Sequence, residues 1–205
     1  MRISTRTWGF GALLALGTMV ALLVAFAPAA AGGASHARWD IITVDNPAAT
    51  TTVNPGGVAS AKAPDNTKIK LTGSGTFVDP SGNGGGSNAV TGGGTWETFN
   101  AAGASTGSGT YAAKELVDFE FANFQSPGLI DNIGDTTERA NGNAVLRIAY
   151  SDGSHGVLWI GCHGGGAPDG IFEGIAATKG FKTYNAVQSP SSTLNENRTI
   201  FHVRQ

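Results

Sequence analysis

Apolar and polar side chains alternate along most of this chain, the pattern of half-buried β-strands. Residues 39–44 form a first short apolar run, and residues 67–78 set Ile69, Leu71 and Phe77 on one face against Lys68, Lys70 and Thr72 on the other. Residues 89–99 and 105–113 flank Asn100-Ala101-Ala102-Gly103 and predict a hairpin. In 116–124, Val117, Phe119 and Phe121 alternate with Leu116, Asp118 and Glu120, predicting a core face and a solvent face. Residues 143–150 place Ala144, Leu146, Ile148 and Tyr150 together, opposite Arg147. After the turn Ser151-Asp152-Gly153 the chain returns through 156–162, which is apolar on both faces and is expected to be covered on both. Residues 171–177, 181–184 and 199–203 complete the series, whereas 45–66 reads as a long surface loop or extended arm and 125–142 as a long connection. No amphipathic helix follows the N-terminal leader. The expected fold is all-β, a single antiparallel β-barrel or β-sandwich of eight to ten strands.

One phrase recurs three times within this pattern: Gly73-Ser74-Gly75-Thr76-Phe77, Gly92-Gly93-Gly94-Thr95-Trp96 and Gly107-Ser108-Gly109-Thr110-Tyr111. Threonine and an aromatic ring favour a pleated strand, and the preceding glycine leaves room for a bend or for a ring lying over bare backbone. The unequal spacing predicts consecutive antiparallel strands, since a solenoid requires one sustained period.

The leader changes the picture of where the protein works. Arg2 and Arg6 precede an apolar run over 10–26, followed by Pro28 and Ala29-Ala30-Ala31, which reads as a secretory signal peptide covering 1–31. The expected organisation is then signal 1–31, an extended strand and loop over 32–66, and the β-domain over 67–205. Removing Arg2 and Arg6 from 13 basic residues leaves 11 against 15 acidic ones, a net charge of −4 that argues against nucleic acid. No second apolar run is long enough to span a membrane, so the expected location is secreted or extracytoplasmic.

Candidate chemistry is sparse. Cys162 is the only cysteine, so no intrachain disulfide forms, and its apolar neighbours predict a buried, inert thiol. Cys162 with His155, His163 and His202 resembles the ligand inventory of a copper site. However, the only methionines, Met1 and Met19, lie in the leader, and adjacent Cys162 and His163 point to opposite faces of a strand. Neither a metal nor a cofactor is expected. A thiolate–imidazole pair of Cys162 with His155 or His202 and a carboxylate pair from Asp118, Glu120, Asp169 and Glu173 lack any supporting spacing. Asp79-Pro80-Ser81-Gly82-Asn83-Gly84 opens like a calcium loop but has Val90 where the twelfth-position glutamate belongs. Asp131-Asn132-Ile133-Gly134-Asp135 is a weaker version, and Asn197-Arg198-Thr199 fits a glycosylation sequon.

The segments Gly94-Thr95-Trp96-Glu97-Thr98-Phe99-Asn100, 107–111, 145–153, Phe172-Glu173-Gly174-Ile175, 178–181 and 197–202 resemble an uncharacterised group of secreted bacterial all-β proteins with no assigned activity. The resemblance implies an exported β-domain and carries over no functional residue. The functional expectation is a non-catalytic domain that binds a small molecule, glycan or envelope component through loops or a barrel mouth. The alternative is a secreted hydrolase or isomerase with a site near His155, Cys162 and His163.

Overall fold

A computed structural model describes residues 33–45, 51–80, 85–191 and 195–205, all within the unit formed by 31–205. The leader lies outside the described residues. The strands, in chain order, are β1 (Ser35–Asp45), β2 (Thr52–Pro55), β3 (Ala59–Lys62), β4 (Lys68–Leu71), β5 (Ser74–Asp79), β6 (Gly93–Phe99) and β7 (Ser105–Phe124). They continue as β8 (Ile130–Asp131), β9 (Arg139–Tyr150), β10 (His155–Cys162), β11 (Gly174–Lys179), β12 (Lys182–Tyr184), β13 (Ala186–Val187) and β14 (Arg198–Arg204). No helix occurs among the described residues.

The fold is a closed antiparallel barrel with further strands outside the ring. Hydrogen-bonded pairing runs β5–β6–β7–β9–β14–β1 and back to β5. Closure removes the exposed strand edges that an open sheet of this length would present. The alternation within each strand sends Trp39, Phe77, Phe119, Leu146 and Phe201 into the barrel, where all are buried. Phe119 meets Phe77 and Phe201 edge-on, at ring-centre distances of 4.9 and 5.3 Å. This geometry suits the quadrupoles of the rings. The interior is thus filled by side chains.

The three copies of the Gly-Thr-aromatic phrase lie on neighbouring strands β5, β6 and β7, and Phe77, Trp96 and Tyr111 all point inward. Thr72 and Thr95 join their hydroxyls at 2.7 Å across the β4–β6 boundary, and Thr76 of β5 joins Thr91, just ahead of β6, at the same distance. The glycines differ in purpose. Gly94 lies against the carbonyl of Thr72, where a Cβ would come within 1.9 Å of the oxygen. Gly107 lies under the Trp96 ring, 3.4 Å from where its Cβ would stand.

Four expectations are corrected. Residues 45–66 are not all loop or arm: they include β2 and β3, whose Val53, Ala59 and Ala61 are buried, and β1 of the 32–66 segment is a ring strand. Segment 125–142 contains β8 and the start of β9. In β7 the simple alternation fails because the pairing with β9 shifts register between Leu116 and Asp118. The bulge turns Leu116 inward and leaves Val117 40% exposed, while Phe119 remains inside. Finally, β10 is not covered along the whole of both faces. Leu158, Ile160 and Cys162 are buried, but Trp159 is 50% exposed on the outside of the barrel.

The contrast between the two glycines gives a prediction. Gly94→Ala should abolish cooperative folding or lower the melting temperature severely, because backbone on a paired strand cannot retreat. Gly107→Ala should melt near wild type, since it meets only ordinary van der Waals distance. Thermal denaturation followed by circular dichroism measures both.

Candidate functional site

The candidate site begins at a fork in the sheet. On one edge β9 pairs with β10 from Ala149 to Gly142, and then with β14 at Ala140 and Arg139. Asn141 sits between the two partners and is fully buried. Its Oδ1 accepts the N–H of Gly164 at 2.7 Å, and its Nδ2 donates to Asn123 Oδ1 at 2.8 Å. Asn141 therefore takes up hydrogen-bonding groups that the departing strand would leave unpaired. Cys162 closes the same gap from the other side, its Sγ 3.4 Å from the Thr199 carbonyl and 3.2 Å from Gln125 Nε2.

Past the fork, the chain leaves the barrel through His163, Gly164 and Gly165. Ser126 N–H binds the Gly165 carbonyl, and Asn123 Nδ2 donates to the Gly166 carbonyl. Gly164 lies so close to Gln125 that a Cβ would approach its amide carbon to 2.4 Å. On the outer surface, Ile42, Val53 and Ile200 form a small second apolar cluster with Val44, Leu129 and Ile133 packed against it. Between this cluster and the glycine segment lies a hollow of about 620 Å³, also lined by Glu173, Arg198 and Thr199.

Glu173 organises the polar wall. One carboxylate oxygen accepts the N–H of His163 at 2.6 Å and the other the N–H of Thr199 at 2.8 Å, so it ties the β10 exit to β14. Burial pushes its pKa up to about 6, against the opposing pull of these two N–H groups and of Arg198. His163 Nδ1 lies 2.7 Å from the Ile171 carbonyl. A carbonyl only accepts, so Nδ1 carries the proton and leaves Nε2 as the acceptor of the neutral ring. Arg198 forms no ion pair among the described residues.

The residues singled out from sequence do not assemble into one site. His155 begins β10 and Cys162 ends it, about 20 Å apart at the rise of an extended strand. Cys162 is buried, and both burial and the nearby Glu173 charge push its thiol pKa well up, opposite to what a nucleophilic thiolate requires. His163 faces the hollow, while Asp169 is exposed in the loop before β11. His202 is buried on the outer side of β14 and pairs with Asp131 at 2.9 Å. The other Asp131 oxygen accepts the N–H groups of Ile133 and Gly134, so the 131–135 segment is a turn fastened to β14. Asp118 and Glu120 flank the buried Phe119 on β7. Asp79 is buried at the end of β5, and residues 81–84 of the calcium-like loop lie outside the described residues. Asn197 is buried, with Oδ1 on Ser60 N–H and Nδ2 on the Ser189 carbonyl. That side chain is a structural link and not an accessible glycan acceptor. No group of three His, Cys, Asp or Glu side chains among the described residues is arranged to hold a metal ion. Sequence reasoning passed over Gln125 and Asn141, which belong to no spaced motif, and the role of Arg198, which occupies the unspecified middle position of the sequon.

The raised Glu173 pKa has a definite signature. A folded-state pKa near 6 against an ordinary 4.5 means the native state holds this proton longer, so Glu173 lowers stability as pH rises from about 4.5 to about 6. Asp65 and Asp152 act in a lower window. Lys182 and Lys179 respectively hold them down to about 2, so they lose stability only as pH falls below the ordinary carboxylate range. The carboxyl carbon of Glu173 should titrate by NMR with a midpoint near 6, and Glu173→Gln should remove the stability loss between pH 4.5 and 6. A midpoint near 4.5 would contradict this electrostatic picture. No protein-family model, curated protein or solved structure matches this chain.

Proposed function

We propose that this chain is an exported, non-catalytic binding domain whose outer hollow takes a small amphipathic molecule with an apolar body and an anionic head. The observation that carries this reading is the mixed lining: Ile42, Val44, Val53, Leu129 and Ile200 share one cavity with His163, Glu173 and Arg198, the last beside Ile42 in the β1–β14 ladder. Its volume falls within the range of small-molecule pockets, and a few convergent polar groups on an apolar wall are what fix a ligand's orientation. Arg198 supplies the cation for the head group. The lining contains no Phe, Trp or Tyr, so the stacking platform that favours a sugar ring is missing from the described residues. This narrows the ligand from glycans toward aliphatic acids.

A second reading rests on one specific feature. A carboxyl with a pKa near 6, bonded to the His163 backbone N–H and within range of that histidine's charge, is suited to general acid–base work, which would make Glu173 and His163 the centre of a hydrolase or isomerase site. Its weakness is that Cys162, the nucleophile considered with it, faces away from the hollow.

The two readings separate experimentally. Short- and medium-chain carboxylates and neutral oligosaccharides would be titrated against the protein by calorimetry. Carboxylates should bind, and Arg198→Ala should weaken them roughly tenfold to a hundredfold, the loss of one charge-assisted hydrogen bond. Leu129→Trp, which fills the apolar side, should abolish binding with the fold intact. If carboxylate affinity is unchanged in both variants, the hollow is not the site. Turnover of esters or amides that is lost in Glu173→Gln with binding retained would favour the second reading.

A further inference from the structure

A second feature lies on the outer face of β3, β4 and β6 and shares no residue with the hollow above. Lys62 stands directly opposite Lys68 in the β3–β4 ladder, and Lys68 stands opposite Phe99 in the β4–β6 ladder. Ladder partners project from the same face of a sheet, with Cβ atoms about 5 Å apart, and like charges placed so are destabilising. Of the nearby acids, Asp65 pairs with Lys182 and Glu196 with Lys70, while Glu97 stands opposite Lys70 in the ladder and forms no ion pair among the described residues. Neither Lys62 nor Lys68 has an ion pair among the described residues.

Phe99 limits how far Lys68 can swing away. The ammonium of Lys68 lies 5.1 Å from the ring centre and that of Lys70 lies 5.5 Å from it, so one ring carries two cations. Beside this row is a concavity of about 430 Å³, lined by Lys62, Asn66, Lys68, Phe99 and the turn 100–103. Asn66 is held with φ at +64° and stands exposed on the rim. A chain of net negative charge thus gathers Lys62, Lys68, Lys70, Lys179 and Lys182 among neighbouring hairpins, with Lys114 alone elsewhere.

We infer that this concavity binds a doubly charged oxyanion, a phosphate or sulfate group, clamped between Lys62 and Lys68. An anion there converts two repelling ammoniums into two charge-assisted hydrogen bonds, at a hairpin whose one acid, Asp65, is taken by Lys182. The same chemistry can arrive as a free ion or as a monoester on a larger molecule.

The test uses the whole protein with Lys62→Gln and Lys68→Gln, probed by sodium sulfate, inorganic phosphate and phenyl phosphate against sodium chloride at matched ionic strength. Saturable NMR shifts should be confined to Lys62, Lys68, Asn66 and the 100–103 amides, and each variant should bind roughly tenfold more weakly. In low salt without oxyanion, both variants should melt at or above the wild-type temperature, because a repulsion has been removed. Tighter binding of phenyl phosphate than of phosphate assigns the source to a monoester, and equal binding assigns it to the free ion. The inference is overturned if sulfate raises the melting temperature of wild type and variants equally, the general effect of an excluded salt. Shifts spread over all lysines would overturn it too.

Discussion

Strand β9 must serve β7 along nearly its whole length while sharing its other edge between β10 and β14. A barrel closed by six ring strands and extended by strands outside the ring needs such a point, and the geometry of the rest follows from how the chain fills it. Gly142 permits the close approach, since a Cβ there would reach the Glu120 carbonyl at 2.3 Å. Asn141 supplies the missing hydrogen bonds, and Cys162 fills the gap between the parted strands. An apolar residue at 141 would leave the Gly164 N–H unpaired in a half-buried position.

The candidate hollow is a consequence of that fork. Because β10 ends where β14 begins to pair, its exit must travel over the outer surface, and Glu173 and Gln125 hold it there. The opposite wall needs its own support. Arg38 grips Asp40 through two hydrogen bonds, of 2.7 and 2.8 Å, and the buried His202–Asp131 pair fastens the β8 turn to β14. Through β8, which pairs with β2, this fastening keeps Val53 and Leu129 over the barrel wall. Polar links outside the ring thus position an apolar surface that the barrel core does not use.

Charge is distributed unevenly over this framework. Most lysines lie on hairpins next to one another, where Lys179 also spans the Trp96 and Tyr150 rings at 4.1 and 4.9 Å. Four of the described arginines are instead used singly, as partners of Asp40, Glu115 and Glu138 or on the hollow, while the buried Arg139 donates to the Thr136 and Ser126 carbonyls. The planar guanidinium suits a fixed carboxylate, and the compact ammonium suits a position over a ring or beside a mobile anion.

The sequence alone determined the fold class and most strand positions, because side-chain alternation along a strand is a local property of the backbone. Ile69, Leu71 and Phe77, and likewise Ala144, Leu146, Ile148 and Tyr150, point inward as their spacing demands. The repeated Gly-Thr-aromatic phrase was legible for the same reason. Local pattern failed where partners decide. The bulge in β7 reversed Leu116 and Val117, and the short strands β2 and β3 have no periodicity of their own and exist through pairing with β1 and β4. Closure into a barrel, the fork at Asn141, the pairing of His202 with Asp131 and the meeting of Glu173 with His163 and Arg198 were settled only in three dimensions. Each depends on which edges meet, and residues far apart in the chain carry no local mark of that.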